Sequence, residues 1–308
     1  MPEMDGIETL RRIRALYPSL PVIMCSTLTE RGAAITIDAL LLGANDYITK
    51  DVRASADGSA INNFRDNLLP KLKQFFQRPS RHSGTATSPL QAPTPAPGPI
   101  LVRPLVPVPP VLPRKVLAIG VSTGGPNALS EILPTIPANF PLPVLIVQHM
   151  PPMFTKLFAQ RLDSQCKIRV EEASNGTVLK PGFALIAPGD YHMGLERREG
   201  AVRVLLNQDR SENSCRPAVD VTFRAVHEVY GGATIGVILT GMGQDGLRGS
   251  EALKAAGACI FAQDEASSVV WGMPGFVARA GLADRILPLR EIVPQILVET
   301  QRQKVGSL

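Results

Sequence analysis

Residues 79–113 carry 11 of the chain's 28 prolines, in runs such as APTPAPGP and PLVPVPPVLP. Each proline removes a backbone donor and fixes φ, so this stretch can supply neither a sheet ladder nor a helix interior. It reads as an extended, polyproline-like spacer, and no single core can run through it. The 308 residues are thereby divided into a segment over 1–76, a linker over 77–114 and a larger segment over 115–300. The same stretch accounts for the charge. Residues 78–115 hold Arg78, Arg81, Arg103, Arg114 and Lys115 and no acid, which equals the whole net charge of +5, while the remainder carries 27 basic and 27 acidic residues. A basic linker without interleaved aromatics is no footprint for nucleic acid, and that class is set aside.

With 44% hydrophobic and 19% charged residues the composition is that of a soluble globular protein. No apolar run of about 18 residues and no basic-then-apolar leader occurs, so a cytoplasmic protein that does not insert in a membrane is expected. Cys25, Cys166, Cys215 and Cys259 show neither CxxC nor Cys/His spacing. Free thiols are expected, with neither a disulfide framework nor a metal site.

Ahead of the spacer, Asp5 with Glu8 three residues on forms a helix-capping pattern, and Ile7, Leu10 and Ile13 follow at helical spacing. PVIMCS is a short run suited to a buried parallel strand, a helix spans Ala33–Leu42, NDYITK is a second strand, and NFRDNLLPKLKQFF a closing amphipathic helix. After the spacer, KVLAIGVS, PVLIVQH and TIGVILTGMG are apolar runs that end in small or polar residues, with helical patterns between them. This alternation predicts an α/β fold with a doubly wound parallel sheet. In such sheets ligands bind beyond the carboxyl ends of the strands, so the residues ending these runs are the candidates for chemistry.

Three glycine-rich readings compete for Gly120–Gly125. A dinucleotide fingerprint needs glycine where Ser122 stands, and a phosphate-binding loop needs lysine where Pro126 stands. GxSxG is matched in full, which puts Ser122 on a tight strand-to-helix turn with backbone amides near its oxygen; a plain tight turn is about as good a reading of the pattern alone. Of four histidines, His82 lies in the spacer, His227 on a predicted helix, and His192 after a turn where it could touch substrate. His149 ends the strand VLIVQ, on the same sheet edge as Ser122. Asp245, in the loop TGMGQDG, can orient such a base, although loop aspartates are commonly turn formers. The order Ser, His, Asp differs from that of α/β-hydrolases, an assignment that would draw on Asp190 or Asp220 with His192 or His227.

The stretches IGVSTGGP, VQHMPPMFT, APGDYHM, RPAVDVTF, LTGMGQDG and QDEASSVVWGMPG run in order through residues 115–297. Together they resemble the catalytic domain of the chemotaxis protein-glutamate methylesterase family, CheB. The resemblance implies a triad of Ser122, His149 and Asp245, an active-site role for Met242, and an oxyanion contact at Thr123 and Gly124 with His192 nearby. It implies hydrolysis of glutamate methyl esters, and deamidation of glutamines, on chemoreceptor signalling helices, with no metal or nucleotide cofactor. A non-catalytic adaptor docking on chemoreceptors and a general small-ester hydrolase are the alternatives.

The first residues resemble the second half of a response-regulator receiver, an incomplete flavodoxin-like unit lacking its first three strands. MPEMDG follows the phosphoacceptor strand in receivers; Ser26 matches their hydroxyl position and Lys50 their phosphate-contacting lysine, with Asp51 where proline is usual. With the phosphoacceptor aspartate and the acidic metal-binding pair absent from this sequence, residues 1–76 are expected not to be phosphorylated by the family's histidine kinase and to be marginal as an autonomous fold. In the family the unphosphorylated receiver covers the active site, so losing half of it is expected to relieve inhibition.

Overall fold

The computed structural model describes residues 4–27, 29–50, 59–76 and 112–301, so residues 77–111 of the proline-rich spacer lie outside the described residues. The first segment runs α1 (Gly6–Leu16), β1 (Ile23–Thr27), α2 (Glu30–Leu41), β2 (Asp46–Lys50) and α3 (Ser59–Phe76). Asp5 caps α1 by accepting from the Glu8 amide at 2.8 Å, as the sequence pattern predicts. α2 begins earlier than Ala33, because the Thr29 hydroxyl accepts from the Gly32 amide at 3.0 Å and caps the helix there. β1 and β2 form a two-stranded parallel sheet with Ile23 opposite Asp46 and Thr27 opposite Lys50.

The second segment runs β3 (Val116–Val121), α4 (Gly125–Ile132), β4 (Val144–Gln148), α5 (Phe154–Asp163), β5 (Arg169–Glu172), β6 (Phe183–Ile186), β7 (His192–Arg198), β8 (Ala201–Asn207), α6 (Val219–Tyr230), β9 (Thr234–Ile238), α7 (Leu247–Ala255), β10 (Cys259–Gln263), α8 (Met273–Arg279), β11 (Arg285–Leu287) and α9 (Leu289–Gln301). Seven strands form one sheet in the order β11-β10-β9-β3-β4-β6-β5, and all six pairings are parallel. β3, β4, β9 and β10 are buried along their whole length, which is why they read as unbroken apolar runs. One face packs Leu129, Phe154, Phe158 and Ile296 against the sheet; the other packs Val219, Phe223, Leu253 and Val277. β7 and β8 form an antiparallel hairpin on the second face. The chain leaves β3 toward β4 and later returns to pair β9 on β3's other edge, so the carboxyl end of β3 lies at the reversal of strand order.

The receiver-like segment does not stand apart. Leu10, Ile37, Leu40 and Ala44 share the hydrophobic cluster of the first face with Leu129 and Phe154. Tyr47 stacks on Phe154 with ring centroids 4.9 Å apart, an arrangement favourable beyond the area it buries.

Candidate active site

Ser122 follows β3 and His149 follows β4. Val121 and Gln148 are partners in the β3–β4 register, so Ser122 and His149 are the next pair along the same sheet edge. On the other side of β3, the Ser122 amide donates to Thr240 O at 3.0 Å, which brings the loop after β9 alongside. Gly241 packs so tightly there that a Cβ on it would lie 2.8 Å from the Ser122 Cβ. The turn into α4 is made at Gly124, whose φ of 79° is a left-handed conformation that suits glycine.

His149 Nε2 lies 2.8 Å from Asp245 Oδ2. A carboxylate on Nε2 fixes the neutral imidazole with its proton there and leaves the lone pair on Nδ1. Asp245 is 2% exposed, yet its charge is well supplied with donors. Oδ2 also accepts from the Val219 amide, and Oδ1 accepts from the amides of Asp220 and Gly246 and from Asn213 Nδ2, all between 2.7 and 3.0 Å. Two of these amides open α6, whose dipole favours an anion at that end. Burial alone would raise the Asp245 carboxyl, but the bonds from His149, Asp220 and Val219 outweigh it and the net direction is down. For His149 burial disfavours the imidazolium, while Asp245 and the Cys215 sulfur favour it and carry its pKa up to about 9.

Two backbone amides beside Ser122, those of Thr123 and Met242, make no hydrogen bond to any other described residue. One belongs to the turn of Ser122 itself and the other to the loop after β9. Met242 is 43% exposed at the mouth of the site. The Gly124 amide, by contrast, donates to Asn45 O at 3.2 Å. His192 lies under the site: it is 1% exposed, its Nδ1 accepts from the Ala218 amide and its Nε2 donates to Arg210 O. Nδ1 therefore holds the entry to α6 and Nε2 the preceding loop at Arg210, so both nitrogens of His192 are engaged within the fold and not with a substrate. His227 lies on α6, as expected. Ser26 donates to Gly32 O at 3.0 Å and Lys50 is exposed at the end of β2.

Several residues escaped sequence reasoning. Cys215 Sγ lies 3.5 Å from His149 Nδ1. Asn213 bridges Asp245 and Asp220 at 2.9 Å each from a turn in which Asn213 and Ser214 both have positive φ. Asp46 of β2 accepts from Thr123 Oγ1 at 3.1 Å and from Lys71 Nζ at 2.7 Å. Gln148 donates to the carbonyls of Ser122 and His149. NDYITK and VQH are visible in the sequence, but nothing in it says which of their polar residues turn inward.

Comparison with known proteins gives the family. A family profile described as CheB methylesterase matches residues 117–296, and one described as response regulator receiver domain matches residues 1–60. The chain is 51% identical to the protein-glutamate methylesterase/protein-glutamine glutaminase of Trichodesmium erythraeum, over 96% of this chain and 82% of that protein. It is 43% identical to the protein of the same name from Thermotoga maritima, over 97% and 82%. The crystal structure of the Thermotoga maritima CheB methylesterase catalytic domain superposes with a TM-score of 0.59 and 47% identity, covering 61% of this chain and 99% of that one.

Proposed function

The chain belongs to the CheB methylesterase family, and from that premise we propose that Ser122, His149 and Asp245 are the nucleophile, base and orienting carboxylate of its hydrolytic site. The activity is that of a protein-glutamate methylesterase and protein-glutamine glutaminase, acting in chemotaxis adaptation on methylated chemoreceptors. Ser122 Oγ attacks the γ-carbonyl carbon of the side chain while its proton passes to His149 Nδ1. The oxyanion of the tetrahedral intermediate takes the amides of Thr123 and Met242, donors already oriented before charge develops. Collapse breaks the ester C–O bond, and the imidazolium returns its proton to the departing oxygen, releasing methanol. Water then gives a proton to Nδ1 and attacks the acyl-serine, which leaves a free glutamate and restores Ser122. With a glutamine amide the same steps release ammonia. Asp245 stays ionised throughout and holds Nε2–H, so that Nδ1 faces the reaction.

The observation that carries this reading is the 2.8 Å contact between His149 Nε2 and Asp245, with His149 next to Ser122 in strand register. The test is methanol release from methylated chemoreceptor membranes by the parent chain and by Ser122→Ala. Loss of about 10⁴-fold or more in the variant is expected from removing a nucleophile of this kind. A variant that retains a tenth of parental release contradicts the assignment.

The docked receiver-like segment bears on control. Asn45 O engages the Gly124 amide, Asp46 engages the Thr123 hydroxyl, and Ala44 O accepts from Asn127 Nδ2 at 3.0 Å. α3 and the loops carrying Met242 and Trp271 enclose a cleft of about 1360 Å³. We read a segment in that position, bonded to Thr123 and Gly124 beside Ser122, as restraining approach to the serine. The role of the chemotaxis histidine kinase remains with the family; Ser26 and Lys50 are switch positions of its receivers.

A further inference from the structure

Gln148 closes β4 and is 2% exposed. Its Nε2 donates to two carbonyls at once, that of Ser122 at 3.0 Å and that of His149 at 3.3 Å. These are the main-chain oxygens of the nucleophile and of the base. The other amide atom, Oε1, is buried with no hydrogen-bond partner. It rests against the start of α4, where a Cβ on Gly125 would lie 2.0 Å from it. Exchanging the two amide atoms would set an oxygen against two carbonyl oxygens, so the network itself fixes this orientation. A buried acceptor left unpaired is a standing cost, and a methionine of similar size would avoid it. The amide is therefore poorly explained as a stabilising core residue, while its two bonds meet on the two residues that must stay in register for proton transfer.

We propose that Gln148 is a positioning residue for the hydrolysis: one side-chain amide ties the turn bearing Ser122 to the strand end bearing His149 and so sets the placement of the one relative to the other. The Ser122 carbonyl also accepts from the Gly125 amide at 2.8 Å, so the tie reaches the first residue of α4 and the turn that supplies the Thr123 amide. Gly125 has no side chain where the amide must pass, which explains the second glycine of the GGP sequence by close approach. Small displacements of reacting groups cost large factors in rate, and an element that sets their spacing acts on turnover more than on substrate binding.

The inference rests on the triad reading and is tested beside it. Methanol release from methylated receptor membranes is measured for the full chain, Gln148→Met, Gln148→Glu and Ser122→Ala, with melting temperatures. Gln148→Met keeps the volume and removes the donor. Its kcat is expected to fall at least tenfold, with KM within twofold of the parent and a melting temperature equal to or above the parent's. Gln148→Glu keeps the length and sets carboxylate oxygens toward the two carbonyls; it is expected to lose at least as much kcat, again with KM unchanged, and it decides the matter if the methionine variant does not fold. A folded variant of either kind with kcat within twofold of the parent overturns the positioning role, as does a loss confined to KM. If Ser122→Ala keeps parental turnover, the triad reading itself falls and the clamp with it. Loss on Ser122→Ala with indifference at position 148 overturns the clamp alone.

Discussion

His149 is held so that only one of its nitrogens can act. Nε2 is taken by Asp245, and Nδ1 is left with the Cys215 sulfur 3.5 Å away, on the sheet edge it shares with Ser122. Asp245 and the Cys215 sulfur raise the imidazole pKa, to about 9, so kcat/KM for ester hydrolysis is expected to rise with pH toward that value. Cys215 is one of the groups that raise it, so Cys215→Ala is expected to move the midpoint of the pH–rate profile downward; an unmoved midpoint contradicts the contact. Asp245→Asn is expected to lower kcat by about 10⁴-fold, because an amide can stabilise neither the tautomer nor the imidazolium. The same pair gives stability a pH window. His149 is raised above its ordinary value of 6.5, so its contribution is fully present below 6.5 and lost as pH rises through about 9. Asp245 is depressed, so its contribution is present above the ordinary aspartate range and lost as pH falls through its lowered value. Thermal melts across pH check both flanks. Ser122 and His149 stood out as candidates in the sequence because each follows an apolar run, and Asp245 because it lies in the glycine-rich loop after a third. Cys215 and Asn213 were not, because their places depend on a turn whose approach to β4 is a tertiary fact.

At the scale of elements, the long apolar runs translated directly into β3, β4 and β9. The β7–β8 hairpin did not, because HMGLERREGAVRVLLN is half-exposed and alternating, and only Glu199 and Gly200, both at positive φ, mark its turn. The turn at Asn213 and Ser214 is closed by paired bonds between Glu212 and Cys215, at 3.1 and 2.9 Å. It places Asn213 between two buried carboxylates, and Asp220, which burial pushes up, depends on it for one of its bonds. Asn213→Ala is expected to destabilise the fold by about 1–3 kcal/mol, the usual cost of leaving a buried acceptor unpaired. Urea denaturation measures it; a change under 0.5 kcal/mol would show that the bridge is dispensable.

For the whole molecule, the order of elements in residues 1–76 was legible, but their placement was not. The two-stranded sheet of β1 and β2 is backed by α2, which lays Ile37 and Leu40 into the same cluster as Leu129 and Phe154. Asp46, 5% exposed, is the polar pin of that contact, bonded to Thr123 and Lys71. Asp46→Ala is expected to raise methanol release several-fold by loosening the segment from the mouth, while lowering the melting temperature; unchanged release would show that the docked segment leaves access open. On the proposed mechanism Ser122 Oγ, activated through His149 Nδ1, is the atom acylated. The measurement that reaches it directly is mass-spectrometric mapping of the chain after treatment with a phosphonofluoridate that traps activated serines. One adduct on Ser122, absent in His149→Ala and accompanied by loss of methanol release, is the predicted result. An adduct on Cys215 with Ser122 unmodified and methanol release abolished would contradict the account, because the nucleophile would then be the thiol.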